Sequence, residues 1–268
     1  MSRQAGRGVT VASFNTRGLP LFGSNLAERY RAIAAFFESS DIDVVNFQEV
    51  FTHRHLRLLS AGMPSFRHLA YRRALVGPAG GLVTLSRLPT GKSGYRRFPL
   101  LPSSPGLPRT VRFKAALKGA LITPLRDQGV CVINTHPVAN GDGDWSDANR
   151  FRPLQQGQLT ALARLVQEIE DPVVVCGDFN VARDSTLHRD FLATTGLVDA
   201  FAGSCPPTFH SAYLKPGQRP HCIDFILVAK SIGVESTGTL FTDREPLAGG
   251  PSYLSDHIGL YARLCPKR

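Results

Sequence analysis

Eight residues of types that bind cations or move protons stand where an apolar run gives way to a polar turn: Asn15, Glu49, His136, Asp178, Asn180, Asp224, Asp256 and His257. A carboxylate is costly to bury beside apolar strands unless it is paired or holds a cation. One such residue says little, whereas several in the same position relative to their strands point to convergence on one end of a sheet. The donors are mostly oxygen, which suits a hard cation such as Mg2+ or Mn2+ better than zinc, and Glu49 is the first choice as a direct ligand. A histidine oriented by a carboxylate activates water, and positive groups stabilise charge on phosphorus oxygens. The chemistry such a set would suit is therefore hydrolysis of a phosphoester.

The stretch Val173 to Asn180, Val-Val-Val-Cys-Gly-Asp-Phe-Asn, shows how a strand would deliver these groups. Its β-branched run is continuous rather than alternating, as expected of a strand covered on both faces. Gly177 permits a sharp turn, and Asp178 and Asn180, two apart on an extended chain, would point to one side. Taken alone, the pair reads as an Asx-type turn bonded only to nearby backbone rather than as a site.

The other candidates sit in similar surroundings. Val9 to Phe14 reads as an opening strand ending in the turn-rich Asn15 to Pro20, and Asn25 is placed to cap a helix carrying Leu26, Tyr30, Ile33, Ala34 and Phe37. Ile42 to Phe47 reads as a strand running into Gln48 and Glu49, before a helix with Leu56, Leu58 and Leu59. Short apolar runs between Ser65 and Leu101, Gly80 to Arg87 the clearest, suggest antiparallel strands, and Pro99 to Pro108 a surface loop. Val111 to Leu117 and Ala120 to Thr123 read as strands joined at Lys118-Gly119, and Val130 to Asn134 as a strand ending at Thr135-His136. A Gly/Asp loop with Trp145 precedes an amphipathic helix from Phe151 to Ile169, and Leu187 to Leu192 suggests a short helix. Gly203 to Pro220 is irregular, Ile223 to Val228 a strand, Gly233 to Phe241 an edge strand, and Ile258 to Leu264 the last strand, preceded by Ser255-Asp256-His257. This mixture predicts packed sheets with helices outside, in one domain spanning 1–268.

Composition sets the outer limits. A chain of 268 residues with 43% hydrophobic content can bury a full core, and a formal charge of +10 favours phosphate-bearing or polyanionic partners without choosing among them. No stretch is long and apolar enough to span a bilayer and no secretory leader is visible, so a cytoplasmic protein is expected. Five cysteines without a Cys-x-x-Cys pair indicate neither a disulfide framework nor a zinc site. The histidines at 53, 55, 68, 188 and 210 fit no ligand spacing and read as surface or packing residues.

Ser13-Phe14-Asn15, Phe47-Gln48-Glu49-Val50, Gly81 through Arg87, Asn134-Thr135-His136, Gly177-Asp178-Phe179-Asn180, Ile223-Asp224-Phe225-Ile226 and Ser255-Asp256-His257 occur in an order that resembles the endonuclease/exonuclease/phosphatase superfamily, with its deoxyribonuclease-I-like fold. The resemblance runs from residue 9 to residue 264. It implies a four-layered α/β sandwich, two mainly antiparallel β-sheets packed face to face with helices outside, and a hydrolase with its site at one edge. It implies that Asn15 and Glu49 hold a metal, with Asp256 adding a metal or water contact. Asp178 and Asn180 would orient water and phosphate, His257 polarised by Asp224 would be the base, and His136 would bind or protonate a phosphate oxygen. Arg17 departs from the acidic residue that the family's apurinic-site endonucleases have two positions after the asparagine, which puts their second metal in doubt.

The substrate is less constrained. His136 in Asn-Thr-His resembles the sphingomyelinase and phosphatase branches and deoxyribonuclease I more than apurinic endonucleases, and Gly80-Gly81-Leu82, Ser86 to Pro89 and Lys118-Gly119 look like neutral sphingomyelinases, which together imply a phosphodiester such as a phospholipid headgroup. The alternative is a metal-dependent nuclease, favoured by the positive charge and by arginines at 72, 73, 96, 97, 109, 150 and 152, of which Arg150 or Arg152 would reach a phosphate. A third reading, an inactive binding module, is disfavoured because every matched position keeps a competent residue type.

Overall fold

The computed structural model describes residues 8–19, 25–100 and 107–266. Its strands are β1 (Val9–Asn15), β2 (Val44–Gln48), β3 (His68–Ala70), β4 (Val83–Ser86), β5 (Gly94–Arg97), β6 (Gly119–Leu125), β7 (Val130–Thr135), β8 (Val173–Asp178), β9 (Val198–Asp199), β10 (Asp224–Val228), β11 (Ile232–Leu240), β12 (Glu245–Leu247), β13 (Gly250–Ser252) and β14 (Gly259–Pro266). The helices are α1 (Leu26–Ser39), α2 (His53–Gly62), α3 (Arg109–Ala116), α4 (Arg152–Gln167) and α5 (Thr186–Thr195). None is long and apolar enough to cross a membrane.

Two six-stranded sheets run β11-β14-β1-β2-β4-β3 and β5-β6-β7-β8-β10-β9. Each is antiparallel except at its centre, where β1 pairs with β2 and β7 with β8 in parallel. A parallel pair needs a crossover, and α1 and α4 supply the two. On the outer face of the first sheet Tyr30, Ile33 and Phe37 pack with Phe14 and Phe47, and on that of the second Leu162 and Phe191 pack with Val175 and Phe225. Val11, Val44, Val132, Val174, Ile226 and Leu260 fill the space between the sheets. The valine run of β8 is thereby explained: Val173 and Val175 face the helices, Val174 faces the opposite sheet, and all three are buried. Burying each stabilises by roughly 1.5–3 kcal/mol.

Near the site this apolar interface becomes polar. Asn134 of β7 donates to Phe47 O and Val83 O of the opposite sheet, both at 3.0 Å, and accepts from Gln48 Nε2 at 2.8 Å. Beside it Thr84 Oγ1 donates to Asn46 Oδ1 at 2.8 Å.

Two local expectations fail. Val111 to Leu117 is not a strand: its period-two alternation would place Val111, Phe113, Ala115 and Leu117 on one face, whereas α3 turns Val111 and Ala115 onto Val138 and Leu154 and leaves Phe113 and Leu117 exposed. Asn25 stands at the head of α1 but makes no side-chain cap. Its backbone is left-handed (φ 60), and only its carbonyl accepts, from Arg29 N–H. Of the predicted Pro99 to Pro108 loop, 101–106 lie outside the described residues.

Candidate active site

The strand ends deliver the predicted groups to one place. Asn15 closes β1, Glu49 follows β2, His136 follows β7, Asp178 closes β8 and Asp224 opens the antiparallel β10 directly opposite Asp178. Asp256 and His257 precede β14, and Ser255 ties that turn to β1 by donating to Asn15 O at 2.6 Å. Thr208, buried in the irregular 203–220 segment, accepts from Ile223 N at 2.9 Å and Asp224 N at 3.0 Å and so fixes the start of β10.

Backbone geometry at these ends is specialised. Gly177 has φ 152, and a Cβ there would come within 1.9 Å of Thr135 O on the neighbouring strand, so no side chain fits. Asn180 (φ 53), Glu49 (φ 61) and Arg17 (φ 48) are left-handed without being glycine, a costly arrangement that concentrates at functional sites. Asn180 is therefore not on an extended chain, as the sequence suggested. Its N–H donates to Asp178 Oδ1 at 2.9 Å, so the Asx-type turn exists and coexists with the site.

At the centre, His257 Nδ1 is 2.8 Å from Asp224 Oδ2, and its Nε2 lies 3.7 Å from Asp178 Oδ2 and 4.0 Å from Asp256 Oδ1. Asp178 Oδ2 also accepts from Asn15 Nδ2 at 3.0 Å. His136 Nε2 lies 3.4 Å from the same oxygen and 3.9 Å from Glu49 Oε1. The two histidines are thus driven apart. Burial would lower His257, but Asp224, then Asp178 and Asp256, outweigh it and hold the imidazole well above its usual range. Burial, Lys118 and His257 together push His136 well below it. Burial raises Asp178 to about 7 despite the pull of His257, with Asp224 adding to the rise. Opposed protonation preferences in neighbouring groups are the usual mark of acid and base work.

Glu49 rims this centre with only partial exposure; burial pushes its carboxyl up, Asp256 adds to that, and Lys118 and the Asn15 amide pull the other way. A carboxylate disfavoured by its surroundings and set among amide and carboxylate oxygens fits a hard cation. Asp178, Asp224 and His257 also bring ligand atoms within 4.8 Å of one another, but Asp224 is committed to the imidazole. Glu49, Asp178, Asp256 and both histidines line a cleft of about 250 Å³, walled on its outer side by Trp145, Phe209 and Tyr213.

Two residues escaped functional assignment from sequence. Arg17, noted only as a departure, places its guanidinium 3.2 Å from Asp256 Oδ2 and 4.3 Å from the Tyr213 ring centre. Its adjacency to Asn15 was the available signal. Lys118 Nζ lies 3.0 Å from His136 Nδ1, and desolvation lowers its ammonium to about 8 against the pull of Glu49 and Asp178. Neither predicted phosphate arginine is directed at the centre: Arg150 pairs with Asp142 (2.7 Å), and Arg152 donates to Thr186 Oγ1 (3.0 Å). Of the remaining histidines, His55 packs on Tyr30, His188 on Phe225 and His210 on Tyr253, and His53 and His68 are half-buried.

A family model described as the Endonuclease/Exonuclease/phosphatase family matches residues 12–257. The chain belongs to that family. Its members are phosphoester hydrolases dependent on a divalent metal, and the chain is a phosphoester hydrolase. No curated protein matches it by sequence. Among solved structures, TDP2 from D. rerio complexed with single strand DNA product is similar with a TM-score of 0.71 and 19% identity, over 97% of this chain and 99% of that one. Sphingomyelinase C from Streptomyces griseocarneus is similar with a TM-score of 0.71 and 19% identity, over 96% and 99%. An endonuclease/exonuclease/phosphatase from Bacteroides vulgatus gives 0.72 and 22% over 98% and 100%. At these identities the likeness establishes the deoxyribonuclease-I-like α/β sandwich and leaves the substrate open.

Proposed function

We propose that residues 1–268 form one catalytic domain, a phosphodiesterase of sphingomyelinase or phospholipase C type. The observation that carries the mechanism is the Asp224–His257 pair, with its Nε2 facing Asp178 on the cleft floor. Asp224 fixes the imidazole orientation, and His257 takes the proton of a water held by Asp178 and Asn180. His136, against Lys118, meets the phosphate oxygen on which charge accumulates. Glu49 and Asn15 would hold Mg2+ or Mn2+, with Asp256, held by Arg17, at the rim. Such an ion would supply Lewis-acid stabilisation of the phosphoryl group.

The aromatic wall supports a headgroup substrate, since Trp145 offers a ring face of the kind that holds quaternary ammonium groups, while Tyr213 already carries the Arg17 guanidinium over its ring. The same tryptophan also suits stacking on a nucleobase, which with the charge of +10 supports nuclease action as the second reading. Hydrolysis of a generic diester is expected to vanish in chelator and return with Mg2+ or Mn2+; full activity in chelator would reject the metal. A panel of sphingomyelin, lysophospholipid, inositol phosphates, plasmid DNA and RNA under one metal condition separates the substrates. Steep salt dependence on DNA would mark the nuclease.

A further inference from the structure

The charge of the chain is segregated. The 77 residues from Val50 to Arg126 hold fourteen lysines and arginines and no aspartate or glutamate, so this segment carries +14 while the remainder is net −4. Within it lie the most exposed large apolar side chains of the described residues. Leu75 is 97% exposed and Val76 67%, at the tip of a turn closed by Ala74 N–H to Gly77 O at 3.0 Å. Phe113 on α3 is 67% exposed and Leu100 63%. Singly such residues are unremarkable, but several gathered on one rim mark a contact surface.

These tips share one rim. Val76 O accepts from His53 N at 3.0 Å, which seats the turn on the head of α2, just past Glu49. At Gly80, immediately after the turn, a Cβ would lie 3.5 Å from Leu117 O, so the turn abuts the end of α3. Phe98 N–H donates to Lys118 O at 3.0 Å, which brings Leu100 to the same place. Lys118 in turn reaches His136 in the cleft. Exposed Arg72 and Arg73 flank the Leu75 tip, and Arg112 and Lys114 flank Phe113.

We propose that this rim is a membrane-docking surface, in which Leu75, Val76, Leu100 and Phe113 enter the interfacial layer of an anionic phospholipid bilayer while the flanking arginines and lysine meet its headgroups. The inference deepens the lipid reading of the cleft and rests on it. Charge alone would serve a nucleic acid equally. The apolar tips decide for a bilayer, because a phosphodiester backbone offers nothing to a fully exposed leucine. Each basic residue brought to an anionic leaflet strengthens partitioning about five-fold, and each inserted apolar side chain contributes on the order of ten-fold.

The test is sedimentation of the full chain in chelator with phosphatidylcholine vesicles, with and without phosphatidylglycerol. A soluble chromogenic phosphodiester is assayed in parallel with metal. The wild type is expected to partition onto the anionic vesicles. Leu75→Asp combined with Phe113→Asp should reduce partitioning at least about ten-fold, and Leu75→Ser less, both with unchanged turnover of the soluble substrate. Wild type that ignores anionic vesicles, or variants that bind them as wild type does, would overturn the surface. So would selective loss of oligonucleotide binding in the same variants. Patch-dependent vesicle binding without phospholipid cleavage would keep the surface and sink the substrate reading. Cleavage of phospholipid in detergent micelles with patch-independent vesicle binding would do the reverse.

Discussion

The two parallel crossovers solve one problem with different chemistry. In the first, α1 ties down the strand ends that carry Asn15 and Glu49: buried Arg29 donates to Thr16 O and Leu254 O, both at 2.6 Å, and Tyr30 meets Thr16 Oγ1 at 2.7 Å. In the second, α4 does the same for the ends carrying His136 and Asp178 with neutral amides. Gln155 donates to Asn180 O at 2.6 Å, and Gln158 accepts from Val138 N at 2.7 Å while donating to Ala115 O. The first half exposes its carboxylate, Glu49, at the cleft; the second buries Asp178 almost completely. A partly solvated carboxylate accepts an ion from water at modest cost, whereas a buried one has its proton affinity set by its neighbours. On the proposed roles Glu49 thus serves cation capture and Asp178 proton handling, while His257, delivered by the turn before β14 of the first sheet, reaches across to Asp178 and Asp224 of the second.

The largest test of that division removes the proton-handling groups. His257→Ala and Asp178→Asn are each expected to lower turnover by at least about two orders of magnitude without loss of the fold, read by steady-state rates and circular dichroism. Near-wild-type rates would put the chemistry elsewhere. A smaller effect probes the clamps. Arg29→Met strands two buried carbonyls and should cost about 2–3 kcal/mol in denaturant unfolding, against about 1 kcal/mol for Gln155→Leu. Equal costs would erase the contrast between the halves.

The subtlest test is pH. Because Asp224 holds the His257 imidazole above its ordinary value, the acid limb of the rate profile should move to lower pH in Asp224→Asn, with a lower plateau. A raised folded-state value also means that the pair stabilises the fold fully below about pH 6.5 and loses that contribution as pH rises through the folded value. In chelator, the stability advantage of wild type over His257→Gln should accordingly shrink toward alkaline pH. An advantage that grew with pH would reverse the assignment.

Much of this was legible from the sequence. β-branched runs ending in Asn15 and Asp178 announced themselves because strand burial and polar tips are both local patterns. Helix α3 was missed because Val111, Phe113, Ala115 and Leu117 satisfy a period of two, and only Val138 and Leu154, distant in sequence, select the helical pair Val111 and Ala115 from among them. Arg17 and Lys118 were not assigned because their meaning depends on Asp256, Tyr213 and His136, which long-range packing brings to them. The Asx turn at Asp178 was set against the catalytic reading as an alternative. In the folded chain one carboxylate oxygen makes the turn and the other faces the cleft.

The polar seam at Asn134 carries one further consequence. Two greasy sheets in contact can slide past each other by fractions of an ångström at little cost, because dispersion is not directional. Three hydrogen bonds at one amide, two donated to Phe47 O and Val83 O and one accepted from Gln48, remove that freedom within a residue or two of Glu49 and His136. Asn134 works as a dowel between two machined plates: it sets the gap across which Glu49 and His257 of one sheet meet Asp178 and Asp224 of the other, so the precision of the site is built one layer beneath it.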